Sequence, residues 1–377
     1  MKIGVNTRFL LPNRLEGLGW FTHEVFRRLV RQHPQHEFVF FFDRAYDPDH
    51  VFGPNVTPVI VPPPTRLPAL WYYWLEIAIP AQLRRRRCDV FVSPDNFCSL
   101  RTSVPNVLIT HDLAHHHFPK QLQRNHRNFY RRFVPRYHRR AEKIVTVSNY
   151  TKQDIITTYG TAPDKITVAC NGVREHFRPI AADQKMQIRE RYTDGAPYFL
   201  YVGALHPRKN VDGLIRAFDH FKTQTGSSTQ LVLGGRKAWQ TADLQRTYEQ
   251  SEYRSEIHFT GYLPDAELAR VMAAARALVY ASHFEGFGVP LLEAMHCDVP
   301  IITSNVSSMT EVAGSAALLV QPTDDEDIAN ALMKLDHNEN LRRRLVKAGQ
   351  EQRKKYDWDR AAAVVWAAIE AAGHRVG

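Results

Sequence analysis

Cysteine is scarce: four in 377 residues, Cys88, Cys98, Cys170 and Cys297, none in a CxxC pair and none in a His/Cys cluster of zinc spacing. That pattern excludes a disulfide scaffold and a structural zinc module, and it reads as reduced thiols of a cytoplasmic protein. Long hydrophobic runs are also lacking. The most apolar window, residues 67–83, is broken by Pro68, Glu76 and Pro80 and falls short of a membrane span. The opening MKIGVNTRFLLPN has one basic residue before a short apolar stretch, so it reads as a first strand and not a signal peptide. Acid is missing from residues 124–140, where seven arginines stand without one Asp or Glu.

What is present is an ordinary globular composition, 44% hydrophobic and 23% charged, with a net charge of +10. The charge is uneven. Residues 1–180 hold 26 basic and 14 acidic residues, a net of +12, whereas residues 181–377 hold 23 and 25, a net of −2. Either the two halves face different partners or one of them faces a charged surface. A nucleic-acid-binding protein is one reading of that half, although no RRM, KH or zinc-finger signature accompanies it.

Short apolar strands alternate with amphipathic helices. Strands are expected at 3–5, 38–42, 59–61, 90–92, 107–109 and 144–147, then again at 198–202, 230–233, 258–259, 277–280 and 299–303. Such alternation implies two mostly parallel, doubly wound α/β domains, with ligands beyond the carboxyl ends of the strands and in a cleft between the halves. The division is placed at 178/179, giving domains 1–178 and 179–357 and a final helix over 358–377.

The richest segment is Ser282-His283-Phe284-Glu285-Gly286-Phe287-Gly288-Val289-Pro290-Leu291-Leu292-Glu293, after the strand at 277–280. Gly286 and Gly288 permit a tight turn, and Pro290 suits the first helical position. The turn offers a helix N-terminus to an anionic or polyhydroxylated ligand, with Glu285 and Glu293 able to accept from two different parts of it. Arg208 and Lys209 stand between a strand and a helix that Asn210 is placed to cap, where two cations suit a diphosphate. His111 and Asp112 follow the strand at 107–110, and a His beside an Asp there could serve as a general base. His115, His116 and His117 point in different directions and make poor joint metal ligands, so a solvated loop is expected. Gly17-Leu18-Gly19 is read as a glycine loop ahead of the helix at 21–30. Ser148-Asn149 either lines the site or simply caps a helix.

In order and spacing these segments resemble the group 1 glycosyltransferases of family GT4, with their Glu-x7-Glu motif. The resemblance extends through Tyr201-Val202-Gly203-Ala204-Leu205, Pro207-Arg208-Lys209-Asn210, Gly261-Tyr262-Leu263, Ser308-Met309-Thr310-Glu311-Val312, His111-Asp112-Leu113 and Val147-Ser148-Asn149. It implies a GT-B fold of two Rossmann-like domains facing across a cleft, with the final helix crossing back onto the first. It implies a retaining transfer of a hexose from a nucleotide-diphosphate sugar, independent of metal or other cofactor, to a glycan or lipid-linked glycan. Glu293 would take the ribose hydroxyls and Glu285 those of the donor sugar. The backbone at Phe287, Gly288 and Val289 would lie beside sugar and phosphates, as would Gly17, Gly19 and Gly203. Lys209 and Arg208 would stabilise the departing diphosphate, and His111 would hydrogen-bond near the hexose. Ala204 departs from the pattern, since many relatives carry Arg there. The look of His-Asp-Leu and Pro-Arg-Lys-Asn is that of bacterial mannosyltransferases, which favours GDP-mannose over UDP-sugars. A non-hydrolysing nucleotide-sugar epimerase of the same fold is the nearest alternative.

The aromatic stretch 67–75 leading into Arg84-Arg85-Arg86-Arg87 admits two readings. It is either a core-packed helix with a solvated basic end or a contact with the anionic inner face of a membrane.

Overall fold

The computed structural model of the chain describes residues 1–12, 15–235 and 242–374. The chain divides into two compact units, Met1–Asn171 with Asp357–Gly377, and Gly172–Tyr356.

Unit 1 is built on a seven-stranded sheet: β1 (Lys2–Asn6), β2 (Glu37–Phe42), β3 (Val56–Ile60), β4 (Val90–Ser93), β5 (Asn106–Thr110), β6 (Lys143–Thr146) and β7 (Ile166–Val168). All pair in parallel, in the order β3-β2-β1-β4-β5-β6-β7. Its helices are α1 (Gly17–Gln32), α2 (Pro68–Tyr73), α3 (Ile79–Arg86), α4 (Ala114–His117), α5 (Arg124–Arg140) and α6 (Asn149–Tyr159), with a π turn over Trp74–Ala78 joining α2 to α3. Because helices cover both faces, β2 buries all of Phe38–Phe42, which explains its unbroken apolar run.

Unit 2 repeats the plan with α7 (Ala182–Thr193), β8 (Tyr198–Val202), α8 (Val211–Thr225), β9 (Gln230–Gly234), α9 (Ala242–Gln250), β10 (Ile257–Gly261), α10 (Asp265–Ala274), β11 (Ala277–Tyr280), α11 (Val289–His296), β12 (Ile301–Ser304), α12 (Met309–Ala313), β13 (Ala317–Val320), α13 (Asp325–His337) and α14 (Glu339–Gln352). The sheet order β10-β9-β8-β11-β12-β13 is also parallel throughout. In each unit the order reverses direction once, between β1 and β4 and between β8 and β11. A crevice forms at that switch point, outside the carboxyl ends of the two strands.

α15 (Trp358–Gly373) belongs to unit 1. Asp357 caps it by accepting from the backbone of Asp359, and Arg28 of α1 reaches Asp359 at 2.8 Å while Trp366 stacks on His33. The last residues of the helix expected over 358–377, 375–377, lie outside the described residues. The boundary after Asn171 precedes the expected division at 178/179, because Arg174 is bonded to side chains of α10 and α11 and so belongs with unit 2. Two strands escape the sequence pattern, β7 and β13. Both are short, and β13 is partly exposed along most of its length.

Candidate functional site

The switch point of unit 2 gathers most of the residues singled out above. After β8, Gly203 adopts φ +152, and a Cβ there would stand 2.8 Å from the Tyr201 hydroxyl, so the turn requires glycine. The chain then makes a 3₁₀ turn over Pro207–Lys209 that lifts two cations to the strand ends. Asn210 follows with φ +57. It is not the side-chain cap expected of it: its amide instead donates to the carbonyls of Ala281 (3.1 Å) and Pro322 (2.6 Å), tying the cation turn to the loop after β11.

That loop holds Glu285, only 7% exposed. Lys209 Nζ donates to Glu285 Oε1 at 2.5 Å and to the Tyr280 hydroxyl at 2.8 Å. Arg208 Nη1 donates to the Phe284 carbonyl at 2.6 Å and approaches Glu285 Oε2 at 3.4 Å. Ser307 and Ser308 hold the Glu285 backbone through its N–H and its carbonyl. Burial acts to raise the Glu285 pKa, but the charges of Lys209 and Arg208 outweigh it and hold the carboxyl below its usual range. One carboxylate thus keeps two cations aligned, ready to be shared with an incoming anion.

Gly288 caps α11 with φ +93, a conformation that a side chain would strain. The helix begins at Val289, so Pro290 takes its second position and not the first as expected. The Phe287 ring is buried edge-to-face against Tyr356 at 5.5 Å, leaving its backbone at the turn. One turn on, Glu293 is 3% exposed and bonded to Arg174 Nη2, while Arg174 Nη1 donates to Asp265 Oδ1 at 2.5 Å. Phe177 lies against the same guanidinium, 4.8 Å from its ring centre. Burial pushes the Glu293 carboxyl up, and Arg174 only partly offsets it. A cavity of about 860 Å³ opens beside this segment, lined by Glu175, His176, Arg178, Gln184, Glu267 and Arg270 among others.

In unit 1, His111 stands at the end of β5. Its Nε2–H donates to the Pro94 carbonyl at 3.0 Å, its backbone N–H to Asn96 Oδ1 at 2.8 Å, and its ring meets Phe21 edge-on. A carbonyl can only accept, so Nδ1 carries the lone pair. Burial lowers the His111 pKa, which keeps the ring neutral at neutral pH. The His-Asp dyad that adjacency suggests does not form: the Asp112 carboxylate instead accepts from Ala114 N–H at 2.9 Å and starts α4. His115–His117 form the helical turn α4, not a solvated loop. His115 stacks on Tyr130 and bonds the Tyr159 hydroxyl, while His117 bonds Asp154. Among the described residues no three His, Cys, Asp or Glu side chains are placed to hold a metal ion.

Gly17 and Gly19 are not in a loop ahead of α1 but in its first turn. A Cβ at Gly19 would lie 2.7 Å from the Phe9 carbonyl, so glycine there lets the helix start close against the end of the β1 loop, whereas the space at Gly17 is open. Ser148 caps α6 by accepting from Thr151 N–H at 3.0 Å, the simpler of its two readings.

Five side chains of these sites lie outside the expected set: Arg174, Asp265, Tyr280 and the buried pair Arg8 and Asp95 at the β1/β4 switch point, which Asn6 joins by donating to Asp95 at 2.7 Å. Only Tyr280 left a trace, as the last residue of an expected strand.

Comparison with known proteins covers both units. The family model "Glycosyl transferases group 1" matches residues 183–352, and "Glycosyltransferase Family 4" matches residues 15–177. O-antigen chain mannosyltransferase B of Escherichia coli is 32% identical over 220 residues, 58% of this chain and 58% of that protein. O-antigen chain mannosyltransferase RfbU of Salmonella typhimurium is 27% identical over 276 residues, 71% of each chain. The structure of Anabaena HepE in complex with UDP and glucose superposes with a TM-score of 0.76 at 16% identity, covering 98% of this chain and all of that one (100%).

Proposed function

Since the chain belongs to the group 1, family 4 glycosyltransferases, with a GT-B pair of Rossmann-like units, we propose that it transfers a hexose with retention of configuration from a nucleotide-diphosphate sugar to a glycan hydroxyl. The observation that carries the reading is the Lys209–Glu285–Arg208 cluster at the β8/β11 switch point. A leaving diphosphate gains negative charge as the bond from the anomeric carbon to its phosphate oxygen breaks. Two cations held there in advance stabilise that charge without reorganising.

In this reading Glu285 accepts from hydroxyls of the donor sugar and Glu293 from the ribose, and the backbone from Phe287 to Val289 and at Gly203 borders the phosphates. Gly17, Gly19 and His111 serve the same reaction from unit 1. The acceptor oxygen attacks the anomeric carbon from the face the diphosphate leaves, and its proton passes to the departing phosphate oxygen. His111, neutral with a lone pair on Nδ1, supports the sugar by hydrogen bonding. The cations and the α11 N-terminus take the place of a metal ion.

The donor is GDP-mannose and the acceptor a lipid-linked oligosaccharide of a surface polysaccharide, met at the cytoplasmic side of the membrane. Two O-antigen mannosyltransferases among the relatives support this choice. Among the described residues none of the four cysteines is joined in a disulfide, in keeping with a reducing compartment.

A thermal-shift screen against GDP, UDP, ADP, dTDP and their sugars, with EDTA present, tests the proposal. A ligand at 100 times its Kd stabilises the fold by about 2.7 kcal/mol. A rise with GDP and GDP-mannose, lost in Glu293→Ala, is expected. A flat response to every nucleotide overturns the transferase reading, and a response that requires divalent metal overturns metal independence.

A further inference from the structure

The whole net charge of the protein resides on unit 1. Its two segments hold 26 basic and 16 acidic residues, a net of +10, whereas unit 2 holds 23 of each. The units also differ in what their arginines do. In unit 2, Arg174, Arg208, Arg216 and Arg342 each grip a carboxylate. In unit 1, Arg84, Arg85 and Arg87 at the end of α3, and Arg127, Arg131 and Arg136 on α5, are exposed, and among the described residues none has a carboxylate within ion-pair distance.

The segment from α2 through the π turn to α3 has two opposite faces. Trp74, Leu75, Ile79 and Leu83 are wholly buried, and Trp71 and Tyr72 pack on Phe129 and Phe133 of α5. The single acid of the segment, Glu76, also points inward and accepts from Leu100 N–H at 3.0 Å, so the outer face carries no negative charge. On that outer face Tyr73 and Ile77 are 42% and 45% exposed, between Ala69 and Ala81, also exposed. These positions lie four apart, and the wider π turn between them reduces the drift such spacing has on an α-helix. Leu67 at the start of α2 is 59% exposed as well. The result is an apolar stripe running into unpaired arginines.

We propose that this face of unit 1, the α2–α3 stripe with the adjoining arginines of α3 and α5, docks the protein on an anionic lipid surface. Tyr73 and Ile77 settle at the boundary between headgroups and acyl chains, and the arginines meet the lipid phosphates. Aliphatic side chains on the same stripe favour lipid over nucleic acid, which would instead meet flat rings and cations alone. No described helix is long and apolar enough to cross a membrane, so the contact is interfacial. The inference deepens the proposed function by naming where the protein meets a lipid-linked acceptor, but the contact itself needs no transferase activity.

Flotation of the intact protein with vesicles of phosphatidylglycerol and phosphatidylcholine, against phosphatidylcholine alone, is the test. Binding to the anionic vesicles only, weakened by salt, is expected. Each arginine at such a surface contributes about a fivefold factor, so Arg84→Gln/Arg85→Gln/Arg87→Gln should bind about a hundredfold more weakly. Tyr73→Ser/Ile77→Ser should weaken binding even at low salt. All five positions are exposed, so the melting temperature and the nucleotide-induced shift should stay at their wild-type values. That separates failure here from failure of the donor reading. Absence of binding by the folded protein, equal binding to neutral vesicles, or unchanged binding by both variants overturns the proposal. Capture of RNA without vesicle binding would assign the surface to nucleic acid instead.

Discussion

Arg174 and Glu293 stand 119 residues apart in sequence and are joined side chain to side chain, with the same guanidinium holding Asp265. Both motif acids therefore have cationic partners, Glu285 through Lys209 and Arg208 and Glu293 through Arg174. Arg174 and Glu293 are nearly buried, with side chains 11% and 4% exposed, so the pair cannot be broken cheaply.

Replacing Arg174 with Gln should therefore lower stability by about 3 kcal/mol, because a buried carboxylate loses its partner. The same variant should raise the donor KM more than it lowers kcat, since Glu293 then loses the guanidinium that holds its carboxyl in place. Arg174→Lys should recover part of both. Denaturant melts and steady-state kinetics check this, and a wild-type KM in Arg174→Gln would separate Arg174 from donor binding.

Lys209→Ala should cost about a hundredfold or more in kcat, the scale of a lost electrostatic group at a charge-developing centre. Tyr280→Phe removes only the hydroxyl that Lys209 also holds and should cost about tenfold, the scale of one charged hydrogen bond. If the two variants turned over at the wild-type rate, the diphosphate would have to be stabilised elsewhere.

Glu24 sits on α1 with His23, Arg27 and Arg28 around it, and Arg28 continues to Asp359 of α15. Burial acts to raise its pKa, but the hydrogen bonds from His23 and Arg28 and the charge of Arg27 outweigh burial and bring it from 4.5 to about 2. A pKa lowered on folding stabilises above the unfolded value, so the contribution is complete above about pH 4.5 and is lost as pH falls toward 2. Glu24→Gln should be less stable by about 3 kcal/mol at neutral pH. The gap should close in acid, as measured by urea melts at several pH values.

Gly288→Ala places a side chain at φ +93 and should cost about 1–2 kcal/mol. The strain falls on the turn that starts α11, so donor affinity should fall along with stability, as a nucleotide titration by calorimetry would register.

The alternation of strands and helices was legible from the chain, as was the Glu285–Glu293 segment, whose residues lie on one turn and the helix it starts. Local pattern suffices there because 3.6 and 2 residue periods are properties of neighbouring residues. It fails at β7 and β13, which are short and only partly buried, whereas the equally short β4, β6, β11 and β12 are buried almost throughout. It misleads where adjacency is taken for contact, as at Asp112, whose carboxylate serves the next helical turn and not His111. The stretch 67–87 read equally as core helix and as basic aromatic surface, and it has both faces: Trp74 and Leu75 inward, Tyr73 and Ile77 outward.

The sequence by itself determined the two-fold α/β plan, the uneven charge and the turn chemistry of Gly288. These depend on composition, period and the φ that each residue tolerates. Only the tertiary structure decided which cation holds which acid. Arg174, Glu293 and Asp265 come together because β10 and β11 are brought onto one sheet with α10 and α11 packed beside them. In water each charge would be solvated separately. Buried at the strand ends, each needs a partner of opposite sign, and the fold alone determines which one is within reach.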